Sequence, residues 1–251
     1  MNKPTTPRYV VLVAAAFFLP APSILAAEPG FTSCTRFFPG KTPRFAEERT
    51  RAVRELCFDA FAVLYSATSK TPVYAVEKLT REQLVDAQDE ARTNRFYPEA
   101  RLRATERAML DDYKGSGFDR GHMAPAGDMP TAQAMAQSFS LANMVPQDPE
   151  NNRGVWAKSV ETATRKYVKR TGGPVFVFTG PVFSKHPRMI GDGQVWVPTY
   201  LYKLVYDPRA NRAWVHWIEN SEQSRETPPI TYRELVHRTG IEFLPGIQPG
   251  S

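Results

Sequence analysis

The chain has 251 residues, 42% of them hydrophobic, and a formal net charge of +6. That is enough apolar material to bury a sizeable core, which excludes a chain too polar to fold. No internal repeat, low-complexity tract or long polar linker divides it, so one domain is expected.

At the N-terminus, Lys3 and Arg8 precede an apolar run from Tyr9 to Leu19, followed by Pro20, Pro22 and the small residues of Leu25-Ala26-Ala27. A basic start, a short apolar run and small residues at its end form the pattern of an export signal, and the run barely suffices to cross a bilayer. Residues 1–27 are therefore expected to be a signal peptide and 28–251 the mature domain, periplasmic or secreted. Loss of Lys3 and Arg8 takes the charge from +6 to +4, so the mature chain stays basic and favours anionic partners. Export also places Cys34 and Cys57, the two cysteines, where a disulfide persists, and a bridge between them is expected.

Further along, apolar and β-branched runs at 61–68, 72–76, 175–183, 195–206 and 213–218 read as strands. Thr80 with Gln83 and Thr231 with Glu234 have capping-box spacing, a helical pattern covers about 80–92, another begins near 131, and 153–170 continues without Gly or Pro after Gly154. Several strands follow one another through short turns. The expectation is an α+β fold, a mainly antiparallel sheet with helices on its faces.

Between the helical patterns lies GSGFDRGHMAPAGDM, residues 115–129, a loop with short extended pieces. Its His122 exchanges a proton near neutral pH without a large pKa shift, with Asp119 and Arg120 beside it. A neutral imidazole takes a proton from water, while a guanidinium pairs with phosphate oxygens and stabilises charge developing on them. These are parts for acting on a phosphate.

The order Asp119-Arg120-Gly121-His122, its lead-in from Asp112 to Gly117 and its exit Met123-Ala124-Pro125-Ala126 resemble the signature of the DNA/RNA non-specific endonucleases, the ββα-metal or His-Me finger nucleases. Ser138 to Gln147 is similar to that family's second block, Asn151 to Trp156 to its third, and Val175 to Phe183 to its following strand-turn-strand. The resemblance covers about residues 55–245.

It implies His122 as general base, Arg120 as a phosphate-binding arginine and Asn152 as the direct protein ligand of a divalent cation. That cation would be Mg2+, with Mn2+ or another divalent ion as alternatives. One amide oxygen plus waters suits Mg2+, which dehydrates reluctantly. Asn143 is implied to line the cleft, and Asp119 to brace the loop. Of Arg92 and Arg95, the resemblance does not choose the phosphate contact; Arg95 is the favoured residue. Family members carry a glutamate four residues after the tryptophan matching Trp156, and an arginine four beyond it. Here Val160 stands at that place, with Glu161 and Arg165 one residue late. On a regular helix this turns Glu161 by about 100°, unless a π-bulge absorbs the insertion. Glu161 is read as orienting water around the cation, and Arg165 as a phosphate contact.

The implied function is exported, sugar-non-specific hydrolysis of DNA and RNA to 5′-phosphorylated products. The alternatives are an exported nucleic-acid-binding module without catalysis, for which the displaced Glu161 speaks, and a phosphodiesterase of small nucleotides. Monomer or homodimer, and any inhibitor protein, stay open. His186, His216 and His237 read as structural or exposed.

Overall fold

The computed structural model describes Met1, residues 31–45 and residues 52–250. The expected signal peptide, Met1 apart, and its boundary with the mature domain lie outside the described residues. Strands β1 (Arg44–Phe45), β2 (Val53–Cys57), β3 (Phe61–Ser66) and β4 (Thr71–Leu79) come first, then helices α1 (Arg81–Asp86) and α2 (Leu110–Tyr113). Next are β5 (Asp119–His122), α3 (Ala132–Ser138), β6 (Met144–Gln147), α4 (Pro149–Asn151), a π-helical segment Asn152–Glu161 and α5 (Thr162–Arg170). They are followed by β7 (Val175–Val182), β8 (Met189–Ile190), β9 (Val195–Trp196), β10 (Tyr200–Asp207), β11 (Arg212–Glu219), α6 (Tyr232–Thr239) and β12 (Ile241–Glu242).

Six strands form the central sheet in the order β11-β10-β7-β4-β3-β2, and every neighbouring pair is antiparallel. This is the expected α+β architecture. Strand β3 shows why its sequence reads as a continuous apolar run: all six residues are buried, and successive side chains enter opposite cores. Phe61, Val63 and Tyr65 join Ala75, Leu201, Phe139 and Trp156 on one face. Ala62 and Leu64 join Tyr74, Phe178 and Phe243 on the other.

The run 195–206 divides into β9 and β10 around Pro198, which has no N–H to donate to a ladder. The helix begun at Thr80 ends at Asp86. Beyond Ala87 nearly every residue to Arg95 is exposed, so no apolar face holds a longer helix there. Thr80 and Thr231 do cap α1 and α6, each accepting a backbone N–H at 3.2 Å. The reciprocal half of each box is absent, because Gln83 donates to the Asp128 carbonyl and Glu234 pairs with Arg238. Cys34 and Cys57 are disulfide-bonded with Cα atoms 5.8 Å apart, tying the helical turn Phe31–Phe37 to β2.

Apart from the central sheet, β5 and β6 form an antiparallel pair whose chain runs on into α4, the π-helical segment and α5. Trp156 and Val160 of that helix are buried against the β3 face of the sheet. Among the described residues, no helix is long and apolar enough to cross a membrane.

Candidate active site

The β5–β6 pair sets Gly121 opposite Val145 and His122 opposite Met144. A Cβ on Gly121 would stand 2.0 Å from Gln147 Oε1, so only glycine lets the Gln147 side chain lie against β5. Gln147, fully buried, donates from Nε2 to Asn151 Oδ1 at 2.6 Å, and Asn151 Nδ2 donates to the Glu219 carbonyl at 2.7 Å. Asp148 caps the turn, accepting from Glu150 N at 2.9 Å and Asn151 N at 3.2 Å. The first residue of the π-helical segment, Asn152, is thereby held to the strand pair that carries His122.

His122 is buried, edge-on to Phe139 with ring centroids 4.9 Å apart and tilted against Phe96 at 5.8 Å. Its Nε2 has no hydrogen-bond partner. Burial, aided by the charge of Arg92, pushes its pKa down from 6.5 to about 3, because an apolar cage disfavours the imidazolium. The ring is neutral at physiological pH, the form that accepts a proton.

A cleft of about 640 Å³ is lined by Arg92, Asn94, Phe96, Lys114, Arg120 and Asn152, among others. The Arg120 guanidinium lies 4.2 Å from the Phe96 ring centroid, and that of Arg92 lies 5.1 Å from Phe139. Arg92 Nε also donates to Asn94 Oδ1 at 2.7 Å. The cleft takes Arg92; Arg95 is exposed and is not among its lining residues. Arg95 is the residue favoured from the resemblance; the two side chains share a segment, and the backbone path turns Arg92, not Arg95, toward this cleft.

Asn152 Nδ2 donates to Asp119 Oδ2 at 2.9 Å, and Arg153 grips the same carboxylate from Nε at 2.8 Å and from a terminal nitrogen at 2.6 Å. With the amide nitrogen committed, the Asn152 amide oxygen is the atom left for a ligand. Asn143 is buried, and its amide is spent on Ala124 N at 2.9 Å, Ala124 O at 2.9 Å and Ser138 O at 3.0 Å. The structure therefore places Asn143 behind the loop that follows His122, as its brace, and not on the cleft wall.

Trp156 and Glu161 both lie in the π-helical segment. Pairing of i with i+5 lets a residue five positions on occupy the face that i+4 takes in an α-helix. Glu161 accepts from Arg165 at 3.1 Å, and Arg165 Nε donates to Asp128 at 2.5 Å. A Cβ on Gly127 would approach the Arg165 guanidinium to 3.1 Å, so the loop's bareness admits this arginine. Burial raises the Glu161 pKa and Arg165 opposes the shift. Neither Glu161 nor Arg165 lines the 640 Å³ cleft; the two sit with Asp128 in a charge cluster of their own. Sequence motifs do not single out Asp128, Glu77 or Lys203. Glu77 and Lys203 nonetheless carry a usable signal, a charge at a core-facing place in an apolar strand.

A family model described as DNA/RNA non-specific endonuclease matches residues 41–249. The chain is 32% identical over 166 residues to the human mitochondrial nuclease EXOG, covering 62% of this chain and 44% of that protein. It is 32% identical over 204 residues to nuclease C1 of Cunninghamella echinulata var. echinulata, with 75% and 79% covered. To the mitochondrial endonuclease G of Bos taurus it is 32% identical over 207 residues, with 78% and 65% covered. The chain spans about half the length of the EXOG proteins it matches. Among solved structures, that of an EndoG/EndoGI complex, described with the mechanism of EndoG inhibition, is similar with a TM-score of 0.73 at 26% identity, covering 89% of this chain and 95% of that one.

Proposed function

Because the chain belongs to the DNA/RNA non-specific endonuclease family, we propose that it is an exported endonuclease that hydrolyses DNA and RNA phosphodiesters to 5′-phosphorylated products. The observation that carries this reading is a buried His122, its Nε2 without a hydrogen-bond partner, which does not itself line the cleft but packs against Phe96 of its wall, beside Arg92, Arg120 and Asn152.

His122 accepts the proton of the attacking water. Arg120 and Arg92 bind phosphate oxygens, their side chains already steadied on Phe96 and Phe139. Among the described residues no group of three His, Cys, Asp or Glu side chains gathers as a cage for a metal. The single hard oxygen of Asn152, oriented by Asp119, suits a divalent ion that keeps most of its waters, Mg2+ before others. When bound, such a cation neutralises charge on the phosphate and on the departing 3′ oxygen. Glu161, which does not line that cleft and is held by Arg165, would orient the water of such a cation by accepting hydrogen bonds.

Nothing in the cleft resembles a device for reading base edges, and phosphate contacts alone carry no direct sequence information. Cleavage that does not use the 2′ hydroxyl makes both nucleic acids substrates. Export rests on the signal pattern of residues 1–27 and accords with the Cys34–Cys57 disulfide.

The purified mature chain is to be incubated with supercoiled plasmid and with structured RNA, in Mg2+ and in EDTA, beside His122→Ala. Degradation of both substrates, lost with EDTA and with the substitution, is expected. Retardation of plasmid on a gel without cleavage, across several divalent metals, replaces this reading with a binding module. Fractionation of an expressing bacterium tests export.

A further inference from the structure

Asn220 leaves the end of β11, an edge strand of the central sheet, and lies 72 residues beyond Asp148 in the chain. No sequence motif singles it out. Its half-buried side chain nonetheless joins three segments. Oδ1 accepts from Asp148 N at 2.8 Å, while Nδ2 donates to the Pro146 carbonyl at 3.1 Å and to the Pro198 carbonyl at 2.9 Å. An asparagine amide has two N–H donors, and both are committed here together with the oxygen. The backbone N–H of Asn220 donates to the Thr199 carbonyl at 2.9 Å as well, so the residue is fixed by its main chain and its side chain alike.

Two of these segments build the candidate site. Pro146 stands opposite Arg120 in the β5–β6 pair. Asp148 holds the start of the π-helical segment: its carbonyl accepts from Asn152 N at 2.8 Å, and its carboxylate accepts from Glu150 N and Asn151 N. Asn220 is therefore two hydrogen bonds from the backbone of Asn152. Residues beside it act on the same turn, because the buried Asn151 donates from Nδ2 to the Glu219 carbonyl at 2.7 Å and to Ser224 Oγ at 3.0 Å. The side-chain amide of Asn152 is bound separately, by Asp119 of β5. A polar network whose members are satisfied favours one arrangement of the segments it joins. The place of Asn152 thus depends on two anchors: β5, through Asp119, and the segment after β11, through Asp148 and Asn151.

We propose that Asn220 is a positioning residue of the candidate active site: by pinning Asp148 and Pro146 together, it fixes where the backbone of Asn152 stands relative to the strand pair that carries Arg120 and His122. Ser224 is a lesser partner in the same role, acting through Asn151. The inference rests on the nuclease reading for its effect on the cation, and on the hydrogen bonds alone for the positioning itself.

The test sets Asn220→Ala, and Ser224→Ala as a milder probe, beside wild type and Phe178→Ala, which loosens the far core without touching this network. Each mature protein is read for its thermal midpoint, for the Mg2+ concentration giving half-maximal plasmid turnover and, without metal, for amide hydrogen exchange resolved by residue. Asn220→Ala is expected to raise the Mg2+ requirement about tenfold, the lower end for losing a partner that orients a metal ligand, and Ser224→Ala about twofold to threefold. Added Mg2+ should restore most of the turnover. In Asn220→Ala the amides of Glu150, Asn151 and Asn152 should exchange about tenfold faster, while those of β7 and β10 keep the wild-type rate. Phe178→Ala should lower the midpoint and leave the Mg2+ requirement unmoved.

A lowered midpoint in Asn220→Ala with its Mg2+ requirement at the wild-type value, or exchange hastened equally across the sheet, overturns the proposal. Should Asn220→Ala not fold, Ser224→Ala carries both readings, and no change in either overturns it. Should the wild type cleave nothing, the nuclease reading fails by itself. Metal-free exchange then decides the positioning: acceleration confined to the turn of Glu150 to Asn152 supports it, and no acceleration, or acceleration throughout, overturns it.

Discussion

The two faces of the central sheet are built by the same strands and have different chemistry. Away from the loop that follows His122, Tyr74, Phe176, Phe178, Tyr202, Leu204 and Phe243 fill a core of aromatic and aliphatic side chains. On the other face the apolar residues give way to Glu77, Thr179, Lys203 and His216, all buried. An apolar face converts burial directly into stability, whereas a face with buried charges gives part of that up. Alternation along β4 and β10 makes the contrast possible, since each strand supplies one residue to each face in turn. The face that gives up stability is the one against which the helix of Asn152 and Glu161 packs.

The contrast breaks most readily at the site. His122→Ala is expected to reduce plasmid cleavage by about 10²- to 10⁴-fold, the range for removing a general base. The thermal midpoint should scarcely fall; a variant that loses midpoint and activity together removes the division between the faces. Phe178→Ala should do the reverse, destabilising by roughly 3–5 kcal/mol in urea titrations while turnover per folded molecule stays at the wild-type level.

Smaller effects refine the contrast. Breaking the Cys34–Cys57 bridge by paired serine substitutions opens a loop of 23 residues' separation and should cost about 3 kcal/mol of stability. The bridge lies at the far core, so cleavage by the folded fraction should not change. Arg92→Ala should weaken substrate binding, read as a higher KM, by about tenfold, from the loss of one charge-assisted contact worth roughly 1.5–3 kcal/mol. Arg95→Ala should leave KM near its starting value, and equal effects would undo the assignment of Arg92 to the cleft.

Burial of His122 also makes stability depend on pH. Its folded pKa, about 3, lies below the ordinary 6.5, so between these values the unfolded chain binds a proton that the folded chain refuses. This contribution to stability is complete above pH 6.5 and is lost progressively as pH falls toward 3. Melting curves over that window should fall less steeply for His122→Ala than for wild type.

Much of the fold and the site is legible in the order of the amino acids. The DRGH signature and the third block around Asn152 identify the family, and the apolar, β-branched runs identify the long strands, because each is a local pattern. The π-helical segment is legible too, as one of the few remedies for a residue inserted into a helix. Strands β5 and β6, four residues each, are too short to show a period.

What the sequence determined alone was the set of reactive groups and the order in which strands and helices present them. Tertiary structure decided which groups meet. It set Arg92 in the cleft and Arg95 outside it, turned Asn143 into a brace for Ala124, and joined Asp128, Arg165 and Glu161 across 37 residues of chain. It also buried Glu77 and Lys203 under the helix. Periodicity assigns a residue to a face; only the packing of one element on another determines what that face meets, and how much water is left there to screen a charge.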